Sequence, residues 1–268
     1  MCILDLRSGR VEHSFDAPAF PERLAFSPVG EALAAACGEK GARVWDVASG
    51  REVLTLRGHA DTVRAVAFSP RGNLVATGNH DNCARLWAWP SGELRATCGG
   101  HAGVCLRLVF SADGRTLAVG SHDHTVSLWD TSTGERRGLL PDQGVWVIAV
   151  AFTPDGRTLA TGGSDGIIGL WDVSAGQLRT TLSGHRKPVT GLAFSPDGRT
   201  LASQGNDDVV KLWHPGTGQE LFSLTTQLHL ARGIAFSSDG RTLLAGTTPP
   251  DKKSPSALLS WRAEPAGP

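Results

Sequence analysis

The chain has 268 residues with 26 basic and 26 acidic side chains, and the resulting net charge of zero argues against a generally basic nucleic-acid coat or an acidic solvating tail. At 40% hydrophobic and 19% charged residues the composition is globular. Its 33 glycines lie well above the roughly 7% of average usage and point to many tight turns, hence many short strands. No apolar run approaches the ~18 residues of a membrane helix. The longest, Val145 to Phe152, has the length of a buried strand. Met1 to Asp5 carries no basic or long apolar leader, so neither a signal peptide nor membrane association is expected. Five cysteines (Cys2, Cys37, Cys83, Cys98, Cys105), odd in number and without a Cys-x-x-Cys pair, read as free thiols in a reducing compartment, which sets the expected location as cytoplasmic. Arginine far outnumbers lysine and tyrosine is absent, the codon signature of a GC-rich, bacterial genome.

Taken in chain order, the elements repeat. Phe26, Phe68, Phe110, Phe152, Phe194 and Phe236 follow one another at 42-residue steps, each opening a variant of Phe-Ser-Pro-Asp-Gly-Arg. Trp45, Trp87, Trp129, Trp171 and Trp213 keep the same step, and Trp261 follows after 48. The chain opens on Ile3-Leu-Asp-Leu-Arg-Ser-Gly9-Arg10, which matches Val44-Trp-Asp-Val-Ala-Ser-Gly50-Arg51, so residues 10–15 read as an outermost strand. The second repeat shows the full pattern: strands at Val63–Phe68, Leu74–Gly78, Cys83–Trp87 and Glu93–Thr97, separated by glycine-bearing turns. Each repeat is thus one antiparallel meander of four strands. The last carries a proline- and lysine-rich insertion, Pro249 to Pro255, expected to form an exposed loop.

Gly58-His59, Gly100-His101 and Gly184-His185, followed in their repeats by Trp87, Trp129 and Trp213, together with Trp45-Asp46, Trp129-Asp130 and Trp171-Asp172, make the chain similar to the WD-repeat β-propeller family over nearly its whole length. The pattern departs at Ala88, His214 and Arg262, which replace the aspartate, and at Ala17, Gln143 and Gln227, which replace the histidine. The resemblance implies an all-β fold, a β-propeller in a single domain over residues 1–268. Strand arithmetic gives 24 strands, six four-stranded antiparallel blades, with residues 10–15 closing the ring beside the strand at Trp261. The alternative is part of a seven-bladed ring, in which residues 1–4 are a remaining third strand.

The family pattern also implies hydrogen-bonded sets of His59, Thr77, Asp81 and Trp87 in repeat two, and of His185, Ser203, Asp207 and Trp213 in repeat five. Such sets resemble catalytic triads, yet they recur blade by blade and satisfy their own buried polar groups, so they are assigned a structural role. Repeat three has Val119 in the Ser/Thr place and repeat four has Gln143 for histidine, which makes repeats two and five the expected rigid ones. Gly162-Gly-Ser164-Asp-Gly166 fits a nucleophile-elbow pattern but sits between two strands rather than before a helix. His122-Asp-His124 has no third ligand in phase and reads as a turn, so no metal is assigned.

No catalytic residue and no cofactor is therefore expected, and dispersed arginines argue against nucleic acid. The expected function is a non-catalytic, monomeric scaffold that docks a protein or peptide partner on its upper face, either alone or as a regulatory module of a larger signalling protein. A six-bladed metal-dependent hydrolase is the alternative. It would need convergent carboxylates in the channel, where the matching positions read Glu22, Arg64, Leu106, Ile148, Thr190 and Arg232. Trp146 aligns with Phe20, Thr62, Val104, Pro188 and Leu230 at the start of each innermost strand. Phe20, Val104, Trp146 and Leu230, with Glu22, Arg64 and Arg232, are the candidate partner-binding residues, aromatic and apolar anchors beside charges.

Overall fold

The structure is a computed structural model that describes residues 1–5, 8, 10–15, 21–38, 41–225, 231–247 and 258–262. These residues form strands and turns without a helix, so no helix is long and apolar enough to cross a membrane. The chain divides into two compact units, Met1–Leu139 and Leu140–Pro268.

The first unit begins with β1 (Cys2–Leu4) and β2 (Val11–Ser14), an antiparallel pair in a sheet of their own. Three four-stranded meanders follow: β3 (Arg23–Phe26), β4 (Ala32–Ala36), β5 (Gly41–Asp46) and β6 (Glu52–Arg57); β7 (Val63–Phe68), β8 (Leu74–Asn79), β9 (Ala84–Ala88) and β10 (Leu94–Cys98); β11 (Cys105–Phe110), β12 (Thr116–Ser121), β13 (Val126–Asp130) and β14 (Arg136–Leu140). In the second unit two more are built the same way: β15 (Val147–Phe152), β16 (Thr158–Gly163), β17 (Ile167–Asp172) and β18 (Gln177–Ser183); β19 (Val189–Phe194), β20 (Leu201–Gly205), β21 (Val209–His214) and β22 (Gln219–Thr225). A three-stranded sheet of β23 (Ala231–Phe236), β24 (Thr242–Thr247) and β25 (Leu258–Arg262) ends it.

Two expectations are corrected here. The described strands number 25 rather than 24, because residues 2–4 form a strand. Residues 11–14 pair with them, not with the strand at Trp261. The local partner has little loop to close and is fixed by core contacts. The Met1 amine donates to the Phe15 carbonyl at 3.0 Å, and Phe15 meets Trp45 edge-on at 6.4 Å in a cluster with Leu33, Ala35, Met1 and Ile3. The expected loop Pro249–Pro255 lies outside the described residues, as do Ala17 and Gln227.

Within each unit, consecutive sheets bury opposite faces against each other, which is why the inner strands are apolar on both sides. Ala32, Ala34 and Ala36 of β4 pack with Val66, Phe68, Val75 and Trp87 of the next repeat; Leu74 and Ala76 pack with Phe110, Leu117 and Trp129 in the same way. In the second unit Ala160 and Leu170 meet Leu201 and Trp213. The small alanines on one face make room for the phenylalanine and tryptophan of the next, so the 42-residue period in aromatics is a period in packing. Trp89 joins this core, half-buried and edge-on to Phe68 at 5.5 Å.

The aspartate after the tryptophan organises the turn between third and fourth strands. Asp130 Oδ1 accepts from the Ser132 and Thr133 amides at 2.7 and 3.0 Å, and the Gly134 amide returns to the Asp130 carbonyl at 2.9 Å. Asp172 does the same with Ser174, Ala175 and Gly176. The Ser132 and Ser174 hydroxyls, which donate to the same carboxylates, act first, with these amides beside them, to hold both carboxyls below the usual range. Where Ala88 and His214 replace the aspartate, the closing backbone bond from Gly92 or Gly218 remains at 2.8 Å. The turn therefore survives the departure.

Gly134 and Gly176 occupy equivalent turns at φ of 73° and 64°. An added methyl at Gly134 would lie 2.5 Å from Ala96 Cβ, whereas nothing lies within 4 Å of one at Gly176. Gly176→Ala is expected to cost about 1 kcal/mol from left-handed backbone strain alone, and Gly134→Ala about 2–4 kcal/mol because overpacking adds to it. Chemical denaturation of both variants checks the order; equal losses would refute it.

Candidate functional site

The buried tryptophans of repeats two to five pose a polar problem that is solved with side chains from the strands, from the segment before the first strand and, in repeats two, three and five, from a turn. In repeat two Trp87 Nε1 donates to Thr77 Oγ1 at 2.8 Å, Thr77 Oγ1 lies 2.7 Å from His59 Nε2, and His59 Nδ1 lies 3.2 Å from Asp81 Oδ2. The Ala60 amide donates to the same carboxylate oxygen at 3.1 Å. Repeat five repeats the chain: Trp213 to Ser203 at 2.8 Å, Ser203 to His185 at 2.7 Å, His185 to Asp207 at 3.0 Å, with the Arg186 amide at 2.8 Å. In repeat five this reads as a relay in which the indole donates to the hydroxyl, the hydroxyl to Nε2, and Nδ1–H to the carboxylate; in repeat two Arg85 also reaches His59 Nδ1 and donates to Asp81 at 2.7 Å. The Thr77 and Ser203 hydroxyls are spent inside the fold, in buried surroundings.

Repeat three departs from the sequence reading. Val119 faces Ser127 across the β12–β13 ladder, and Ser127 supplies the missing hydroxyl: it accepts from Trp129 Nε1 at 2.7 Å and lies 2.6 Å from His101 Nε2, while His101 Nδ1 meets Asp123 at 2.8 Å. The hydroxyl has moved to the cross-strand partner, so repeats two, three and five all hold complete sets. The signal was available in the pairing, since Thr77 faces Arg85 and Ser203 faces Lys211 at the same rung. Repeat four is shorter by one member. Gln143 Oε1 accepts from Thr161 at 2.7 Å, Trp171 Nε1 donates to Thr161 at 2.9 Å, and the Gln143 Nε2 group is buried without a partner. Both amide atoms of Gln204, on β20, are likewise buried and unpaired.

Electrostatics follow from burial. Burial first, and the Arg85 guanidinium second, push His59 down to about 4, so the ring is neutral near pH 7. His185 is lowered too, again by burial first. Burial pushes the Asp81, Asp123 and Asp207 carboxyls up, but hydrogen bonds outweigh it and hold all three low, led by Arg85, Thr125 and the Arg186 amide respectively. Gly162 and Gly163 end β16, and Ser164 lies in the turn to β17, a strand-to-strand connection. Asp123 of His122-Asp-His124 belongs to the His101 set. Among the described residues no cluster of three His, Cys, Asp or Glu is placed to hold a metal.

The candidate docking residues fall in both units. In the first, Glu22 and Arg64 form an ion pair, and Arg64 Nε donates to His80 Nε2 at 3.0 Å. Val104 is half-buried, and its carbonyl accepts from the His122 amide at 3.1 Å. In the second, Trp146 is 50% exposed, and its carbonyl accepts from the Ser164 amide at 3.1 Å. Thr62 and Pro188 hold the same backbone bond to His80 and Asn206, so 62, 104, 146 and 188 are one structural position. Arg232 lies on β23; Phe20 and Leu230 lie outside the described residues.

Ser127→Ala removes the acceptor for a buried indole and the partner of a buried imidazole, and is expected to cost about 1–3 kcal/mol. Adding Val119→Thr, which places a hydroxyl on the other side of the same rung, should recover most of that loss; denaturation followed by tryptophan fluorescence reads both variants, and an additive double mutant would overturn the coupling.

Because His59 and His185 titrate lower in the fold than in the unfolded chain, the unfolded state binds protons first. Stability from this source is complete above about pH 6.5 and is lost as pH falls toward 4, by an amount on the order of 2–3 kcal/mol for His59. His59→Gln should flatten this slope, measured as unfolding free energy against pH; an unchanged slope would contradict the neutral assignment.

The model of the WD40 family, described as WD domain, G-beta repeat, matches residues 50–88, 92–130, 136–172 and 176–214. A stretch of 42 residues is 60% identical to the probable serine/threonine-protein kinase PkwA of Thermomonospora curvata, a bacterial protein. That stretch is 16% of this chain and 6% of PkwA. WD40 repeats in general are protein–protein interaction modules. With its family model matched over more than half of the sequence, and with indole–hydroxyl–imidazole–carboxylate chains in three repeats, the chain belongs to the WD40 repeat family.

Proposed function

We propose that the chain is a non-catalytic docking platform that takes a protein or peptide partner on the loops at the start of the innermost strands. The observation that carries this reading is Trp146, an indole left 50% exposed at a position where the described equivalents are Thr62, Val104 and Pro188. A large half-exposed aromatic offers a partner contact area at little entropic cost, and such residues dominate binding energy at interfaces. The acid–base groups support it from the other side, since the histidines, hydroxyls and aspartates of the complete sets are engaged with one another. Glu22, the one carboxylate among the matching innermost positions, is held by Arg64, which disfavours a metal-dependent hydrolase.

The architecture proposed with this function is a β-propeller in one domain over residues 1–268, each of the six repeats supplying a blade. β1 and β2 repeat the pairing of β5 and β6, the third and fourth strands of a blade, and this favours the seven-bladed alternative in which they are the outer half of a further blade. Likeness of one repeat to a protein named as a serine/threonine kinase supports a role as a module of a signalling protein, acting in the cytoplasm without cofactor.

Trp146→Ala is expected to leave folding close to wild type, because half the indole is outside the core, and to weaken capture of the native partner about tenfold or more. Stability by denaturation and capture per folded molecule are measured separately. Lost stability with unchanged capture would make Trp146 a core residue and remove the site.

A further inference from the structure

Repeat four, in the second unit, keeps the aspartate of the hydrogen-bonded sets but not the groups that engage it. Asp81, Asp123 and Asp207 each meet a histidine Nδ1 and the backbone amide that follows the histidine, from Ala60, Ala102 and Arg186. Asp165 stands at the same place in its turn, yet among the described residues its carboxylate accepts only the Ile167 amide, at 3.0 Å. Two local changes account for this. Gln143, in the histidine place, takes the Thr161 hydroxyl at 2.7 Å and leaves its Nε2 buried without a partner. At Gly144 the backbone is left-handed, with φ of 72°, and its amide donates to Asp142 Oδ1 at 2.7 Å instead of to Asp165.

The carboxylate left over stands beside Trp146. The Trp146 carbonyl accepts from the Ser164 amide at 3.1 Å, one residue before Asp165. A methyl built on Gly163 would meet both Asp165 Oδ1 and Val145 Cγ2, which puts the carboxylate against the residue next to Trp146. Trp146 and Asp165 are both exposed. We propose that they form a docking site for a basic segment of a protein partner, with an Arg or Lys cation on Asp165 and a basic side chain laid over the Trp146 indole. This rests on the docking reading above and names the chemistry of the partner. An indole face attracts a cation and packs its aliphatic stem, and a carboxylate pairs its head.

Loss of the imidazole and presence of the exposed indole coincide in one repeat. In repeats two, three and five the aspartate holds the entry segment in place, and the position of Trp146 is filled by Thr62, Val104 or Pro188. A carboxylate that already accepts from a side chain and two amides, as Asp207 does, has little left for a ligand. One that accepts a single amide keeps most of its lone pairs, which suits the two parallel donors of a guanidinium. Arg186 and Lys187 belong to the next entry loop, where the Lys187 carbonyl lies against Gly166, and neither forms an ion pair with Asp165.

The test uses the whole chain and hexa-arginine as the probe, titrated calorimetrically at low and at high ionic strength. Asp165→Asn is expected to weaken binding about tenfold at low salt. Asp155→Asn, an exposed carboxylate in the turn at the other end of β15, should change nothing. Gln143→His supplies the imidazole that engages the aspartate in repeat five, so this variant should be at least as stable as wild type and bind the peptide more weakly. NMR of the wild-type protein should show the Trp146 indole and the Asp165 carboxyl both shifted by the peptide, which keeps the test independent of how the variants fold. No binding of hexa-arginine, Asp165→Asn or Gln143→His binding as wild type, or an indole signal unmoved by the peptide would overturn the proposal. Hexaglutamate bound as tightly as hexa-arginine would overturn it by removing the charge preference, and spermine bound as tightly would do so by assigning the site to a free polyamine. Failure here removes the basic-segment assignment alone, since the docking reading stands or falls on capture of the native partner by Trp146→Ala.

Discussion

The indole N–H of the tryptophans in repeats two to five is buried and must find an acceptor, and much of those repeats is arranged around that need. An unpaired donor at Trp87, Trp129, Trp171 or Trp213 would carry a desolvation cost of about 1–3 kcal/mol each. The acceptor is a hydroxyl on a neighbouring position, and the hydroxyl is oriented in turn by an imidazole, or in repeat four by the Gln143 amide. The imidazole reaches in from the segment before the first strand, so one chain of hydrogen bonds ties the outermost strand of one repeat to the inner strands of the next. The aspartate at the end of that chain also takes a backbone amide from the same segment, which fixes where the first strand begins.

That constraint divides each repeat into fixed and free parts. The aromatic, hydroxyl and turn positions are committed to packing and to buried polar groups, and a change at one calls for a compensating change at its partner, as between Val119 and Ser127. The residues just inside the first strand face no such demand. Across the repeats they read Glu22, Arg64, Leu106, Ile148, Thr190 and Arg232, varied in size and charge while their neighbours repeat. A scaffold of this kind can change what it recognises without disturbing what holds it together.

Electrostatic character separates the two kinds of histidine. His59 and His185 are deep enough that burial keeps them neutral, and their role is that of a hydrogen-bond bridge. His122 is only half-buried and is lowered by burial first and then by the neighbouring bases His80, Arg107 and His124. The same side chain thus serves as a buried strut at one depth and stands half-buried at another, a difference set by solvent access.

Sequence alone determined the period, the strand positions and the residues of the sets in repeats two and five, because aromatic spacing, β-like runs and turn glycines are local signals that a single chain displays directly. Tertiary structure decided the rest. The hydroxyl of repeat three is found only when Val119 and Ser127 are seen as cross-strand partners, since residues eight apart in sequence share a rung only once the register of β12 and β13 is fixed. Pairing of β1 with β2 comes with the packing of Phe15 against Trp45, which strand counting does not contain. The Glu22–Arg64–His80 contact joins two repeats 42 residues apart, and no local pattern announces it. Local chemistry writes the elements, and only the folded chain brings distant side chains close enough to interact.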